Sequence, residues 1–131
     1  MACLAGGESL SFNLSHAGDW GLLGIVSGTE IGVDVEKMKP RLEFERIADR
    51  FFSPAEVKHL EQYSPARSRR GFFRVWTRKE AFLKGQGFGF SAPSLVDHDA
   101  RWMVRSFVVD RGYLGALAVM RRVDAVLRWN I

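Results

Sequence analysis

Along the first third of the chain, Leu10, Phe12 and Leu14 alternate with Ser11, Asn13 and Ser15, the period-two pattern of a half-buried strand. A turn-like His16-Ala17-Gly18-Asp19 follows, then an apolar run from Trp20 to Val26. Ser27-Gly28-Thr29-Glu30 turns the chain again before Ile31–Glu36. Three apolar runs joined by two short turns predict an antiparallel meander. The middle changes period. Phe44, Ile47, Ala48 and Phe51 recur at helical spacing within 42–52, and Ser53-Pro54-Ala55-Glu56 reads as a helix start with an N-cap, a first-turn proline and a reaching glutamate. That helix is expected to end near Tyr63-Ser64-Pro65. A longer one runs from about Ala66 to Lys84 and stops at Gly85-Gln86-Gly87. Trp102–Val109, Tyr113–Met120 and Ala125–Trp129 return to strand-like composition. Strands, helices, then strands imply an α+β fold, with an antiparallel sheet packed against a long helix. Without a linker or repeat to divide it, residues 1–131 are expected to form a single domain.

Composition narrows the setting. Cys3 is alone in the chain, so an internal disulfide framework is excluded and a reducing compartment is expected. No apolar run reaches the ~20 residues that a helix needs to cross a bilayer, and the first eight residues do not resemble a secretory signal. A cytoplasmic protein without membrane contact is the expectation. The net charge of +4 rests on 14 Arg against 5 Lys. Planar guanidinium groups suit phosphates and carboxylates, so a phosphorylated small molecule, a nucleic acid or an acidic protein all remain open partners on charge alone.

Three segments carry candidate chemistry. In Ile31-Gly32-Val33-Asp34-Val35-Glu36, alternation sends the branched residues to one face and Gly32, Asp34 and Glu36 to the other. Two carboxylates on one strand face, roughly 7 Å apart at their Cα atoms, can converge on a hard cation such as Mg²⁺. The same pattern also describes a solvated acidic edge. On the long helix, Phe72, Val75, Trp76, Lys79, Phe82 and Leu83 form one stripe, and Glu80 and Lys84 stand one turn apart at its margin. There a carboxylate and an ammonium can be partly desolvated, as a base or a phosphate-binding lysine must be, or can form an ordinary surface pair. In Phe12-Asn13-Leu14-Ser15-His16, the histidine ends a strand beside a turn and can bind phosphate. Ser15 and His16 are not a nucleophile pair, because neighbours on a strand face opposite ways.

Taken together, these segments resemble the signature of the 4'-phosphopantetheinyl transferase superfamily, in its surfactin-synthetase-activating (Sfp-like) form. Phe12-Asn13-Leu14-Ser15-His16 is similar to F-N-x-S-H, and Gly32–Glu36 to G-[IV]-D-x-E. Trp76-Thr77-Arg78-Lys79-Glu80-Ala81 with Lys84 is similar to W-x-x-K-E-[AS]-x-x-K, and Arg50–Glu56 to R-F-F-[ST]-x-x-E. The resemblance implies the family's fold and a Mg²⁺-dependent transfer of phosphopantetheine from coenzyme A to a serine of an acyl or peptidyl carrier protein. It implies Asp34, Glu36 and Glu80 as metal ligands and Glu80 also as base. Lys84 would stabilise the departing 3',5'-ADP, with Ser15, His16 and Lys84 against coenzyme A, and Lys79 has no assigned role. Sfp-like enzymes resemble two similar halves in one chain, of which this sequence carries the second. The resemblance therefore implies self-association, a neighbouring copy closing the cleft. Two other readings stay open: a truncated, non-catalytic module that binds coenzyme A or an acidic carrier protein, and a metal-dependent nuclease. The family reading expects no nucleic-acid partner.

Overall fold

The computed structural model describes residues 2–3, 9–38, 48, 50–62, 65–87, 101–120 and 128. Among them the elements are β1 (Ala2–Cys3), β2 (Ser9–Ala17), β3 (Trp20–Ser27), β4 (Ile31–Lys37), α1 (Pro54–Glu61), α2 (Pro65–Gly85), β5 (Met103–Asp110) and β6 (Tyr113–Val119). The α+β expectation holds, and the long helix lies within a residue of its predicted limits. Residues 48, 50 and 51 are helical as expected. Positions 42–47, and the expected last strand apart from Arg128, lie outside the described residues.

The predicted meander stops after two strands. β2 and β3 form an antiparallel hairpin, with Phe12 opposite Ile25 and Leu14 opposite Leu23. β4 leaves that sheet and pairs antiparallel with β6, Asp34 lying opposite Ala116. Among the described residues the result is two three-stranded sheets, ordered β1-β2-β3 and β4-β6-β5. Burial explains the switch. β6 is buried along its whole length, and β4 from Ile31 to Val35, on both faces. Strands with no solvent face belong in a central layer.

That layer is the sheet β4-β6-β5. Ile31, Val33, Leu117 and Val119 on one face pack with Leu22 and Val26 of the hairpin. Gly24 makes room here, because a Cβ on it would press into the Ile31 and Val33 side chains. The other face packs on α2 through Ala81, Phe82, Ala116 and Ala118. A third cluster, Phe52, Leu60, Phe72, Phe73 and Leu114, fills the angle between α1, α2 and the start of β6, with Phe52 and Phe72 stacked at 5.2 Å.

Local chemistry fixes the helices. Ser53 Oγ accepts from the Glu56 N–H at 3.2 Å, and Glu56 Oε1 accepts from the Ser53 N–H at 2.9 Å, a complete capping box with Pro54 inside the first turn. α2 lies so close to β4 that a Cβ on Gly32 would collide with the Ala81 carbonyl and the Gly85 N–H. The space that Gly32 leaves is taken by the helix backbone. Among the described residues, no helix is long and apolar enough to cross a membrane.

Candidate active site

β4 and α2 bring the acidic residues together. Gly32 and Asp34 share the β4 face that α2 covers, so Asp34 is not on a solvated edge; only 5% of it is exposed. Glu36, one pleat further along, is half-buried, as is Glu80 on α2. Burial pushes the Asp34 carboxyl up to about 8, reinforced by the negative charges of Glu36 and Glu80 and opposed by Lys84 and a hydrogen bond from Ser15. Burial likewise pushes Glu80 up to about 7, with Glu36 adding to the rise and Lys84 opposing it. The three carboxylates therefore feel one another in a low-dielectric pocket, which is the condition under which a cation is most strongly held.

Asp34 Oδ2 is buried and accepts no hydrogen bond. Such an orphaned acceptor is uncommon in a folded core and calls for a ligand, an ion or a proton. A divalent cation fits this donor set, because three hard carboxylate oxygens are what Mg²⁺ prefers. Among the described residues, no group of three Asp, Glu, His or Cys side chains is drawn tightly enough to hold a metal ion by itself.

Lys84 is fixed before any substrate arrives. Its Nζ donates to the carbonyls of Val33 and Leu14, both at 2.8 Å, and so ties α2 to β4 and β2. An ammonium has three N–H donors, so one remains for an anion. Lys79, five residues earlier, does something else. It is 8% exposed and pairs with Glu56 Oε1 at 3.0 Å. Burial would raise the Glu56 carboxyl, but hydrogen bonds from the Ser53 N–H and from Lys79 hold it below the usual carboxylate range. One glutamate thus caps α1 and anchors it to α2, giving Lys79 the structural role that the sequence left blank.

Ser15 and His16 separate. Ser15 Oγ accepts from the Val35 N–H at 3.1 Å and donates to Asp34 Oδ1 at 3.3 Å. His16 is exposed at the hairpin end, opposite Gly21. Only Ser15 stands with the acids. Asn13, to which sequence reasoning gave no role, accepts from the Val33 N–H at 2.9 Å. Its signal was visible: Asn-x-Ser puts two polar side chains on one face of an otherwise apolar strand. A cleft of about 590 Å³ opens beside the cluster, with Asn13, Lys84, Gln86, Arg101 and Trp102 among its walls. It meets the site at Lys84, and the three acids do not line it.

Residues 30–111 match the sequence profile of the 4'-phosphopantetheinyl transferase superfamily. The 4'-phosphopantetheinyl transferase psf-1 of Bacillus pumilus is 34% identical over 133 residues, covering 89% of this chain and 56% of that protein. The 4'-phosphopantetheinyl transferase ffp of Bacillus subtilis is 32% identical, covering 91% and 59%. The 4'-phosphopantetheinyl transferase AcpT of Salmonella typhi is 41% identical over 81 residues, covering 62% and 42%. The chain spans roughly half the length of these curated relatives.

Proposed function

Because the chain belongs to the 4'-phosphopantetheinyl transferase superfamily, we propose that it moves phosphopantetheine from coenzyme A to a serine of an acyl or peptidyl carrier protein. The observation that carries this reading is the buried acidic cluster with its orphaned Asp34 oxygen, set beside a pre-positioned lysine. Asp34, Glu36 and Glu80 would hold Mg²⁺. When bound, the ion would neutralise the pyrophosphate and polarise the phosphorus under attack.

The chain's own groups have the following parts. The carrier serine oxygen forms a bond to the phosphorus that bears pantetheine. The bond from that phosphorus to the bridging oxygen breaks, and 3',5'-ADP leaves with the electron pair. Glu80, half-buried at the helix margin beside Lys84, takes the serine proton directly or through water. Lys84 meets the charge growing on the departing phosphate with its remaining N–H. Its other two are held by backbone carbonyls, so little reorganisation is needed. The nucleophile comes from the partner, and none is required in this chain.

We also infer self-association. Phe12, Leu14, Leu23 and Ile25 are each more than half exposed on the outer face of the β2–β3 hairpin. Contiguous apolar surface of this kind marks an interaction site, and a second copy closing the cleft is the occupant this reading assigns. The reading keeps the protein in the cytoplasm. The test is to incubate the chain with coenzyme A, Mg²⁺ and an apo carrier protein, and to follow 3',5'-ADP release and the carrier's mass while measuring the chain's size in solution. Transfer by an oligomer supports the proposal. A folded monomer that transfers nothing supports the non-catalytic module instead.

A further inference from the structure

The face of α2 that packs on the central sheet continues beyond the sheet. Ala81 and Gly85 lie against Gly32 of β4. One turn back, Arg78 reaches β5, its Nη1 donating to the Val104 carbonyl at 3.3 Å and to Ser106 Oγ at 3.2 Å. Further toward the N-terminus the same face carries Arg74, Arg70 and Arg67, three or four residues apart and therefore in one row. All three are exposed. Among the described residues none of them is held in an ion pair. Nothing in the free chain rewards this row. Residues 65–78 hold five arginines and no acidic residue, and Arg67 stands in the first turn of the helix. The positive end of the macrodipole disfavours a cation there. Arg70 with Arg74, and Arg74 with Arg78, are like-charged neighbours four residues apart, which also destabilises a helix. α1 shows the opposite order, with Glu56 in its first turn and Lys58 and His59 in its last.

We infer that Arg67, Arg70 and Arg74 form a docking surface for an acidic helical segment of a protein partner. The row rises about 10 Å along the helix axis, and carboxylates at i, i+3 and i+7 of a facing helix repeat at the same interval. Guanidinium groups pair with such carboxylates in a planar, two-bonded geometry. Other anionic partners fit less well. Phe72 and Phe73 are buried and Trp76 is half-buried in the core cluster, so the row offers no exposed ring on which a nucleic-acid base could stack. The apolar side chains Phe72, Phe73, Phe82 and Leu83 of α2 are also buried, so a membrane surface would meet charge without the apolar face that inserts. Glu80 projects about 120° around the helix from Arg74. The docking surface therefore lies to one side of the acidic cluster, and it does not depend on the metal centre or the reaction proposed above.

The test uses the full chain and a labelled alanine-based helical peptide with glutamates at i, i+3 and i+7, followed by fluorescence anisotropy as salt is raised. The combined variant Arg67→Gln, Arg70→Gln, Arg74→Gln should bind the peptide about 10-fold more weakly and with a shallower salt dependence. A second variant, Lys58→Gln, Arg105→Gln, Arg111→Gln, removes the same charge from exposed positions off the row and should change binding by less than about twofold. The row variant should also melt at the same temperature as the unaltered chain or higher, because repulsion within α2 is relieved. A lower melting temperature, or failure to fold, would make the row structural and overturns the inference. Equal losses in the two variants would reduce the effect to net charge and overturn it too. So would an unaltered chain that does not bind the peptide. Tighter binding to a single-stranded oligonucleotide or to phosphatidylserine vesicles than to the peptide would assign the row to nucleic acid or membrane instead, against the inference.

Discussion

The two faces of β2 are made of opposite materials. The inner face carries Asn13 and Ser15, which accept backbone hydrogen bonds from β4, and Ser15 also donates to Asp34. The outer face carries Phe12 and Leu14, paired across the hairpin with Ile25 and Leu23, all exposed. A strand on the rim of a core normally buries its apolar side. Here the polar side is inside because β4 presents backbone edge groups and a carboxylate rather than a greasy surface. The apolar side is left for contact with something else. On the function proposed above, the inner face would serve the chemistry and the outer face association.

That division can be tested by perturbing each side. The largest effect belongs to the site behind the inner face. Glu80→Gln should lower transfer by about 10²–10⁴-fold with an unchanged circular dichroism spectrum, since a half-buried helix-margin position tolerates the isostere. Near-normal turnover would remove Glu80 as ligand and base.

The acidic cluster should also make metal-free stability depend on pH. Asp34 and Glu80 hold protons up to about 8 and about 7 in the folded chain, against roughly 4 when unfolded. Between those limits the folded state binds more protons than the unfolded one, so stability falls as pH rises from about 4 to about 8. The groups facing these two carboxyls are Ser15 from β2, Glu36 from β4 and Lys84 from α2. Thermal melts in chelator should show a decline on the order of a few kcal/mol, and Asp34→Asn should flatten most of it. A melting temperature that rises over this range would contradict the buried cluster.

Gly32→Ala tests the close approach of α2. The added methyl meets the Ala81 carbonyl and the Gly85 N–H, backbone atoms that cannot swing aside. Denaturant unfolding should register a loss of about 2–3 kcal/mol. Lys79→Met should cost less, about 1–2 kcal/mol, because the Glu56 pair is only partly shielded from solvent. It should slow transfer far less than Lys84→Met, which removes the ammonium beside the acids. Equal effects of the two lysine changes on transfer would mean that Lys79 also serves the chemistry.

The smallest effect on the folded monomer is expected from the outer face. Leu14→Ser and Leu23→Ser should change unfolding free energy by less than about 0.5 kcal/mol, measured at low protein concentration, while reducing oligomer mass in light scattering. A large loss of monomer stability from either would show that this face belongs to the chain's own core.

Much of this protein was legible in the residues alone. The capping box at Ser53, the extent of α2, the strand character of 10–14, 20–26 and 31–36, and the pairing of Asp34 and Glu36 on one face are all local, set by backbone geometry over a few residues. So were the ordered motifs that led to the family. Three matters were settled only by the tertiary structure. Alternation in β2 showed that two faces differ, but which one lies inside depended on β4. Pairing of β4 with β6 instead of β3 depended on a buried strand about eighty residues later. The parts played by Ser15, Lys79 and Lys84 depended on distant partners, namely a strand N–H and a carboxylate, a helix-capping glutamate and two strand carbonyls. A periodic pattern reports the environment a side chain prefers; only the folded chain supplies the groups that satisfy it.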